Sequence, residues 1–231
     1  RVWGTIGHLN QVADTPVMRA AYNENLPRVT DFYSLLGADA GLYAKYKQVD
    51  AEAEALDGAQ RRVLANARRD FVLSGAELRG AARERFLQIQ DRLAELGQRF
   101  DEHVQYATDE FSLVVGEERL DGVPQDVRRA ARHEAQALGV DGYRLGLQFP
   151  RWMPVMQYAT DRSLRETLYR AYFTRASEQG SPQHDNTELM AELLALRDEE
   201  AQLLGYESYA HVSLATKMAK SPDQVLQFLH D

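Results

Sequence analysis

Cysteine is absent from all 231 positions, which excludes disulfides, thiolate metal ligands and a cysteine nucleophile. Long apolar runs are also absent, and no stretch approaches the roughly 20 residues of a membrane-spanning helix. The first residues, RVWGTIGHLNQV, contain neither a long apolar core nor a small-residue cleavage site. We therefore expect a cytoplasmic protein that has no membrane partner.

An excess of positive charge is missing as well. The chain has 27 basic and 35 acidic residues and a formal net charge of −8. A phosphate backbone or an anionic membrane is a poor partner for such a chain, so we expect no nucleic-acid partner. The apolar share of 44% is that of an ordinary globular chain with a buried core.

Amphipathic helices are predicted over most of the sequence. Thr15 and Pro16 are typical of a helix start, and Gly37 of its end. Pro27 falls inside this run, so we predict a kink or break near residues 25–26. Further helices are predicted at 42–55, 59–72, 82–111 and 125–138, from Asp161, at 187–204 and from Ser221.

A short β-like pattern interrupts the helices. Residues 112–115 and 143–147 are predicted to form a small antiparallel strand pair within an inset of about 112–150. Pro150 and Pro154 predict a turn around Trp152. The fold class is therefore mainly α, a multi-helix domain of residues 1–231 with a long central helix and a small inset strand pair.

The last helix starts with a strong cap at Ser221-Pro-Asp-Gln and has almost no length. Val225, Leu226, Phe228 and Leu229 give it an apolar face. Short helices need tertiary packing, so this pattern indicates a truncated chain that continues in the native protein. We expect the exposed face to promote self-association of the isolated piece.

The pair His133–Glu134 resembles the start of the zinc-peptidase motif H-E-x-x-H. That motif needs a second histidine one turn later, and Ala137 occupies the position. We interpret His133 as a solvated histidine and Glu134 as an ordinary glutamate. The sequence contains six histidines, no two of which lie within four residues: His8, His103, His133, His184, His211 and His230.

Other candidate motifs have structural explanations. Ser74 is typical of a helix C-terminal turn, and the carboxylates of residues 198–200 predict a solvated helical face and its edge. Tyr169, Tyr172 and Phe173 lie among arginines 165, 170 and 175 and could stack on nucleic-acid bases. Helical spacing favours core packing with arginines reaching to solvent. We assign no catalytic, cofactor-binding or metal-binding residue.

Several segments in order resemble the N-terminal region of the thimet oligopeptidase family of zinc metallopeptidases, in its oligopeptidase A-like branch. The similarity extends over the whole chain. The segments are His8–Val12, Gly41–Tyr46, Arg69–Gly75, Leu168–Tyr172 with Thr174–Ser177, Gln202–Tyr206 and Leu214–Met218.

The resemblance implies the N-terminal region of a larger, two-lobed helical peptidase that acts on short peptides. In that family a later helix carries H-E-x-x-H, and zinc with the motif glutamate activates water. Neither has a counterpart here, so the resemblance implies a non-catalytic channel wall, zinc in the parent enzyme and a missing C-terminal catalytic domain as partner.

Two alternatives remain open at this point. One is a stand-alone helical binding or scaffold protein that is related to the family and lacks catalysis. The other is the dipeptidyl carboxypeptidase branch, which would keep the metal chemistry and change the product length.

Overall fold

The computed structural model describes residues 2–51 and 56–231. Within these residues the backbone forms α-helices, two short 3₁₀ turns and a two-stranded sheet. The helices are α1 Val2–Val12, α2 Pro16–Gly37, α3 Ala40–Ala51, α4 Gly58–Leu73, α5 Gly80–Glu110, α6 Gln125–Ala137, α7 Phe149–Tyr158, α8 Arg162–Thr174, α9 Thr187–Leu203, α10 Tyr209–Leu214 and α11 Pro222–His230. The predicted mainly α fold is confirmed.

The predicted strand pair is also confirmed. Strands β1 (Leu113–Val115) and β2 (Tyr143–Leu145) pair antiparallel, and Val114 lies opposite Arg144. Helix α6 connects the two strands and packs against β2, and its Ala131 and Ala135 are buried.

The described residues divide into two compact units. Unit 1 consists of residues 2–51, 56–96 and 192–231, and unit 2 consists of residues 97–191. The divisions fall within α5 and α9. The strand pair and α6 to α8 belong to unit 2.

The start of α2 follows the prediction, because the hydroxyl of Thr15 accepts a hydrogen bond of 3.2 Å from the backbone N–H of Met18. Of the kink or break predicted near residues 25–26, the break is wrong, since α2 continues through Pro27. A proline removes one hydrogen bond from a helix, and tertiary packing can offset that loss. Here α1, which the sequence did not indicate, packs on α2, and Trp3 stacks on Tyr22 at 4.7 Å.

Helices α3 and α4 lie close to the predicted ranges. The predicted helix at 42–55 is observed as α3, which ends at Ala51, and its residues 52–55 lie outside the described part of the chain. Asp57 and Gln60 form a capping box at the start of α4, and Ser74 ends that helix as predicted. In the core of unit 1, Tyr43 donates a 2.8 Å hydrogen bond to Glu77.

Unit 2 is built around an apolar cluster from the sheet, α6, α7 and α8. Its buried residues are Val115, Leu120, Val123, Ala131, Leu145, Leu147, Trp152, Val155, Ala159, Leu164 and Leu168. The turn predicted around Trp152 is wrong, because residues 149–158 form α7. Pro150 lies in the first turn, where a missing N–H costs nothing. The buried indole N–H of Trp152 donates to the carbonyl of Leu168 at 3.1 Å, which fixes α7 to α8.

Candidate functional site

Helix α6 carries the pair that resembles a zinc-peptidase motif. His133 is exposed, and Ala137 offers no ligand atom one turn later. Glu134 is largely covered. Its Oε2 accepts a hydrogen bond of 3.1 Å from Arg144, and its Oε1 pairs with Arg151 at 2.9 Å. Glu134 therefore connects α6 to β2 and α7, a role that its neighbours in the sequence do not indicate.

Two of the six histidines come together in unit 2, although they are far apart in the sequence. The rings of His103 and His184 lie 6.0 Å apart, and Tyr106 stacks on His184 at 5.4 Å. Nε2 of His184 lies 2.9 Å from the carboxylate of Glu110, at the end of α5. Because no local motif marks these positions, sequence reasoning missed the cluster.

A buried asparagine organises this cluster. Asn186 is fully buried, and its side-chain amide donates to the carbonyl of Phe100 at 3.2 Å. With that orientation, its Oδ1 accepts a hydrogen bond of 2.8 Å from Nδ1–H of His103. Beside it, hydrogen bonds from the Thr187 hydroxyl and backbone N–H hold the pKa of Asp185 below its ordinary value. These contacts make the cluster a structural polar network that joins α5 to the start of α9.

The donor set does not fit a zinc ion. Zinc requires three or four nitrogen, sulfur or carboxylate ligands around one point. Among residues 2–51 and 56–231, no three histidine, aspartate or glutamate side chains are arranged to hold a metal ion. The cluster around His103 and His184 lies within these residues, so it is not such a site either.

Charged residues join α5 and α9 along the surface of unit 1. Arg85 pairs with Glu199 and, seven residues later, Arg92 pairs with Glu192, each at 2.6 Å. The two helices therefore run antiparallel here, with pairs two turns apart. We call these two pairs the surface ion pairs.

The carboxylates of residues 198–200 do not share one environment. Asp198 is exposed, as predicted for a solvated face. The prediction is wrong for Glu200, which is only 8% exposed and accepts a 3.1 Å hydrogen bond from Gln90. Glu200 lies one turn after buried Leu196, so the helical period turns it inward. Burial raises its pKa above the ordinary value.

The aromatic residues of α8 also differ from one another in how far they are buried. Tyr172 packs on Trp152 with ring centroids 4.0 Å apart, and the Arg175 guanidinium lies 3.8 Å from the Tyr172 ring. The predicted core packing is confirmed for Tyr172. It is wrong for Tyr169 and Phe173, which are 52% and 60% exposed.

An open hollow lies beside these rings on unit 2. Its lining consists of Met156, Arg162, Arg165, Glu166 and Tyr169. This hollow and the exposed rings form a surface with both aromatic and basic character. Across the described ranges, no helix is long and apolar enough to cross a membrane.

Two family models match the chain and define its class. Residues 155–231 match peptidase family M3, and residues 1–83 match the N-terminal domain of neurolysin and thimet oligopeptidase. Both descriptions are of peptidases. The chain belongs to the thimet oligopeptidase family, peptidase family M3, as an oligopeptidase A-like member.

The individual relatives place the chain within that family. It is 44% identical to oligopeptidase A of Salmonella typhimurium and 44% identical to oligopeptidase A of Escherichia coli, each over 236 aligned residues. Each alignment covers 100% of this chain and 35% of the relative. Dipeptidyl carboxypeptidase of Escherichia coli is 28% identical over 93% of the chain and 33% of that protein. The chain thus spans about a third of the length of the curated relatives it matches.

Proposed function

We propose that this chain is the non-catalytic N-terminal region of a zinc-dependent oligopeptidase that hydrolyses short peptides in the cytoplasm. The observation that carries the proposal is the 44% identity to oligopeptidase A along the entire chain. The lower identity to dipeptidyl carboxypeptidase favours the oligopeptidase A-like branch over the alternative one.

In this proposal the zinc ligands and the water-activating group belong to polypeptide outside these residues. Two features of the site support that division. Position 137, one turn after His133, is alanine, and Glu134 is held by Arg144 and Arg151. Both carboxylate oxygens of Glu134 are already paired with guanidinium groups, so this side chain is a poor candidate for the group that accepts a proton from water.

The helices of this region act as scaffold and channel wall in the proposed enzyme. They restrict the peptides that reach the catalytic groups and contribute none of the reacting atoms. The partner of the region is then the C-terminal catalytic domain of the same polypeptide, and the substrates are short, flexible peptides.

Peptide hydrolysis by the complete gene product tests the proposal. A quenched fluorescent peptide of about eight residues should be cleaved, a chelator should abolish cleavage, and added zinc should restore it. The 231-residue chain should cleave nothing under the same conditions. Chelator-insensitive cleavage would contradict the zinc assignment.

Reading the coding sequence after residue 231 separates the proposal from the scaffold alternative. An open frame that encodes H-E-x-x-H is expected. A stop codon directly after Asp231 would instead favour a stand-alone binding or scaffold protein and would overturn the proposal.

A further inference from the structure

The outward side of α8 forms a continuous strip of chemically distinct side chains. Its residues recur at helical spacing, opposite the buried Leu164 and Leu168. We call it the α8 strip, and its residues are Arg162, Arg165, Glu166, Tyr169, Arg170 and Phe173.

One end of the strip is aromatic. The rings of Tyr169 and Phe173 lie 4.5 Å apart, and Phe173 lies 6.2 Å from Trp152. Phe149, 57% exposed, also has its ring centroid 6.2 Å from that of Trp152. Contiguous exposed apolar surface of this kind marks an interaction site more often than scattered exposed residues do.

The other end of the strip is basic. Arg162 is exposed, and within the described ranges it forms no ion pair. Arg165 lies beside it and is anchored by hydrogen bonds to the carbonyls of Ala159 and Thr160. Glu166, the acidic member of the strip, is already paired with Arg170 at 3.0 Å. Three arginines against one glutamate make this surface locally positive on a chain of net charge −8, so it attracts carboxylates.

The dimensions match a short peptide. Eleven helical steps from Arg162 to Phe173 span about 16 Å at roughly 1.5 Å per residue. An extended chain rises about 3.3 Å per residue, so about five residues cover this length. A ligand that suits both ends has carboxylates at one end and apolar side chains at the other.

We propose that the α8 strip binds short extended peptides in which an acidic end faces the arginines and an apolar end covers the aromatic rings. This inference rests on the proposed function in one respect, since the α8 strip would bind one class of the peptides that the proposed peptidase hydrolyses. Double-stranded nucleic acid is a poorer occupant because of the net charge of the chain.

Fluorescence anisotropy with the 231-residue chain tests this proposal. The probe is a fluorescein-labelled pentapeptide, Leu-Leu-Gly-Glu-Glu, and the comparison peptide is Leu-Leu-Gly-Lys-Lys. Saturable binding of the acidic peptide is expected, together with about tenfold weaker binding of the basic one and a loss of affinity in high salt. The neighbouring Trp152 should report the same event through its fluorescence.

Matched variants locate the binding. Arg162→Glu should weaken binding about tenfold and Phe173→Ala about fivefold. Arg129→Glu introduces the same charge change at an exposed position on α6, and Leu138→Ala removes a side chain of 61% exposure. Both controls should leave the affinity within about twofold, and circular dichroism confirms that each variant is folded.

Several results would overturn the proposal. These are no saturable binding by the chain or by the complete gene product, equal binding of the two peptides, or equal losses in the control variants. Self-association that Phe173→Ala abolishes, with no peptide binding, would show that a second copy occupies the strip. Because hydrolysis is measured separately on the complete gene product, peptide binding without hydrolysis would contradict only the peptidase proposal.

Discussion

The two units connect α5 with the region of α9 by different chemistry. In unit 1 the surface ion pairs join Arg85 and Arg92 to glutamates that are about 40% exposed. In unit 2 the connection passes through a fully buried side chain, because Asn186 bonds to the carbonyl of Phe100 and to His103. Exposed ion pairs contribute little to stability, whereas a buried polar group that loses its partner costs much more. The comparison therefore predicts that unit 2 is far more sensitive to loss of a polar side chain.

The largest effect is expected at Asn186. Asn186→Ala removes the acceptor of the His103 ring N–H and the added donor to the Phe100 carbonyl, and it leaves a cavity at a fully buried position. We therefore expect a loss of about 2–3 kcal/mol in the free energy of unfolding. Urea denaturation followed by circular dichroism measures it. The same substitution at Asn25, whose bond to the Ala21 carbonyl is exposed, should change stability by less than about 0.5 kcal/mol. Equal effects at the two positions would remove the basis of the comparison.

The buried hydrogen bond of Trp152 in unit 2 gives the next largest effect. Trp152→Phe keeps an aromatic ring against Tyr172 and removes the N–H donor to the Leu168 carbonyl. We expect a loss of about 1–3 kcal/mol, measured by urea denaturation. Trp3→Phe is the control, because its ring stacks on Tyr22 near the surface. Greater destabilisation by Trp3→Phe would contradict the prediction that the buried hydrogen bond of Trp152 contributes more to stability.

Glu200 is the exception in unit 1, since it is a buried carboxylate. Its pKa is raised mainly by desolvation, so the folded state holds its proton more tightly than the unfolded state does. Its cost to stability therefore grows as pH rises above the ordinary pKa of 4.5 and is complete above the folded pKa. Glu200→Gln should stabilise the chain at pH 7 by on the order of 1 kcal/mol and have little effect near pH 4. Destabilisation at pH 7 would contradict this explanation.

The smallest effect on stability is expected at Glu199, the neighbour of Glu200. The hydrogen bond from Arg85 lowers the pKa of Glu199, so its contribution is present above pH 4.5 and is lost as pH falls through the folded pKa. Glu199→Gln should reduce the thermal midpoint only slightly at pH 7, and 1 M salt should remove the difference. A large, salt-independent loss would mean that the surface ion pairs matter as much as the buried network.

Much of the fold could be predicted because its signals are local. The apolar stripe of α5 and the caps at Thr15 and Ser221 depend on residues within a few turns of one another. The strand pair was visible as a change of period. Helix α7 was missed because its prolines, which are typical of turns, are tolerated once Trp152 is fixed in the core.

The sites were less predictable because their contacts are distant in sequence. The Glu134 pairs and the cluster around His184 join residues from separate elements. For the aromatic residues of α8 the helical period was predicted correctly, but the predicted buried face was too wide. Tyr172 is covered, whereas Tyr169 and Phe173 lie on the solvent side of the same helix. Only the neighbouring elements determine where that boundary falls.

The most direct test of the central proposal is peptide cleavage by the purified 231-residue chain, measured with stoichiometric zinc and again with a chelator. We predict no cleavage and no tight one-to-one zinc binding, because the described residues present no set of three ligands. Chelator-sensitive cleavage by this chain alone would contradict the proposal that the metal-holding and water-activating groups lie outside it.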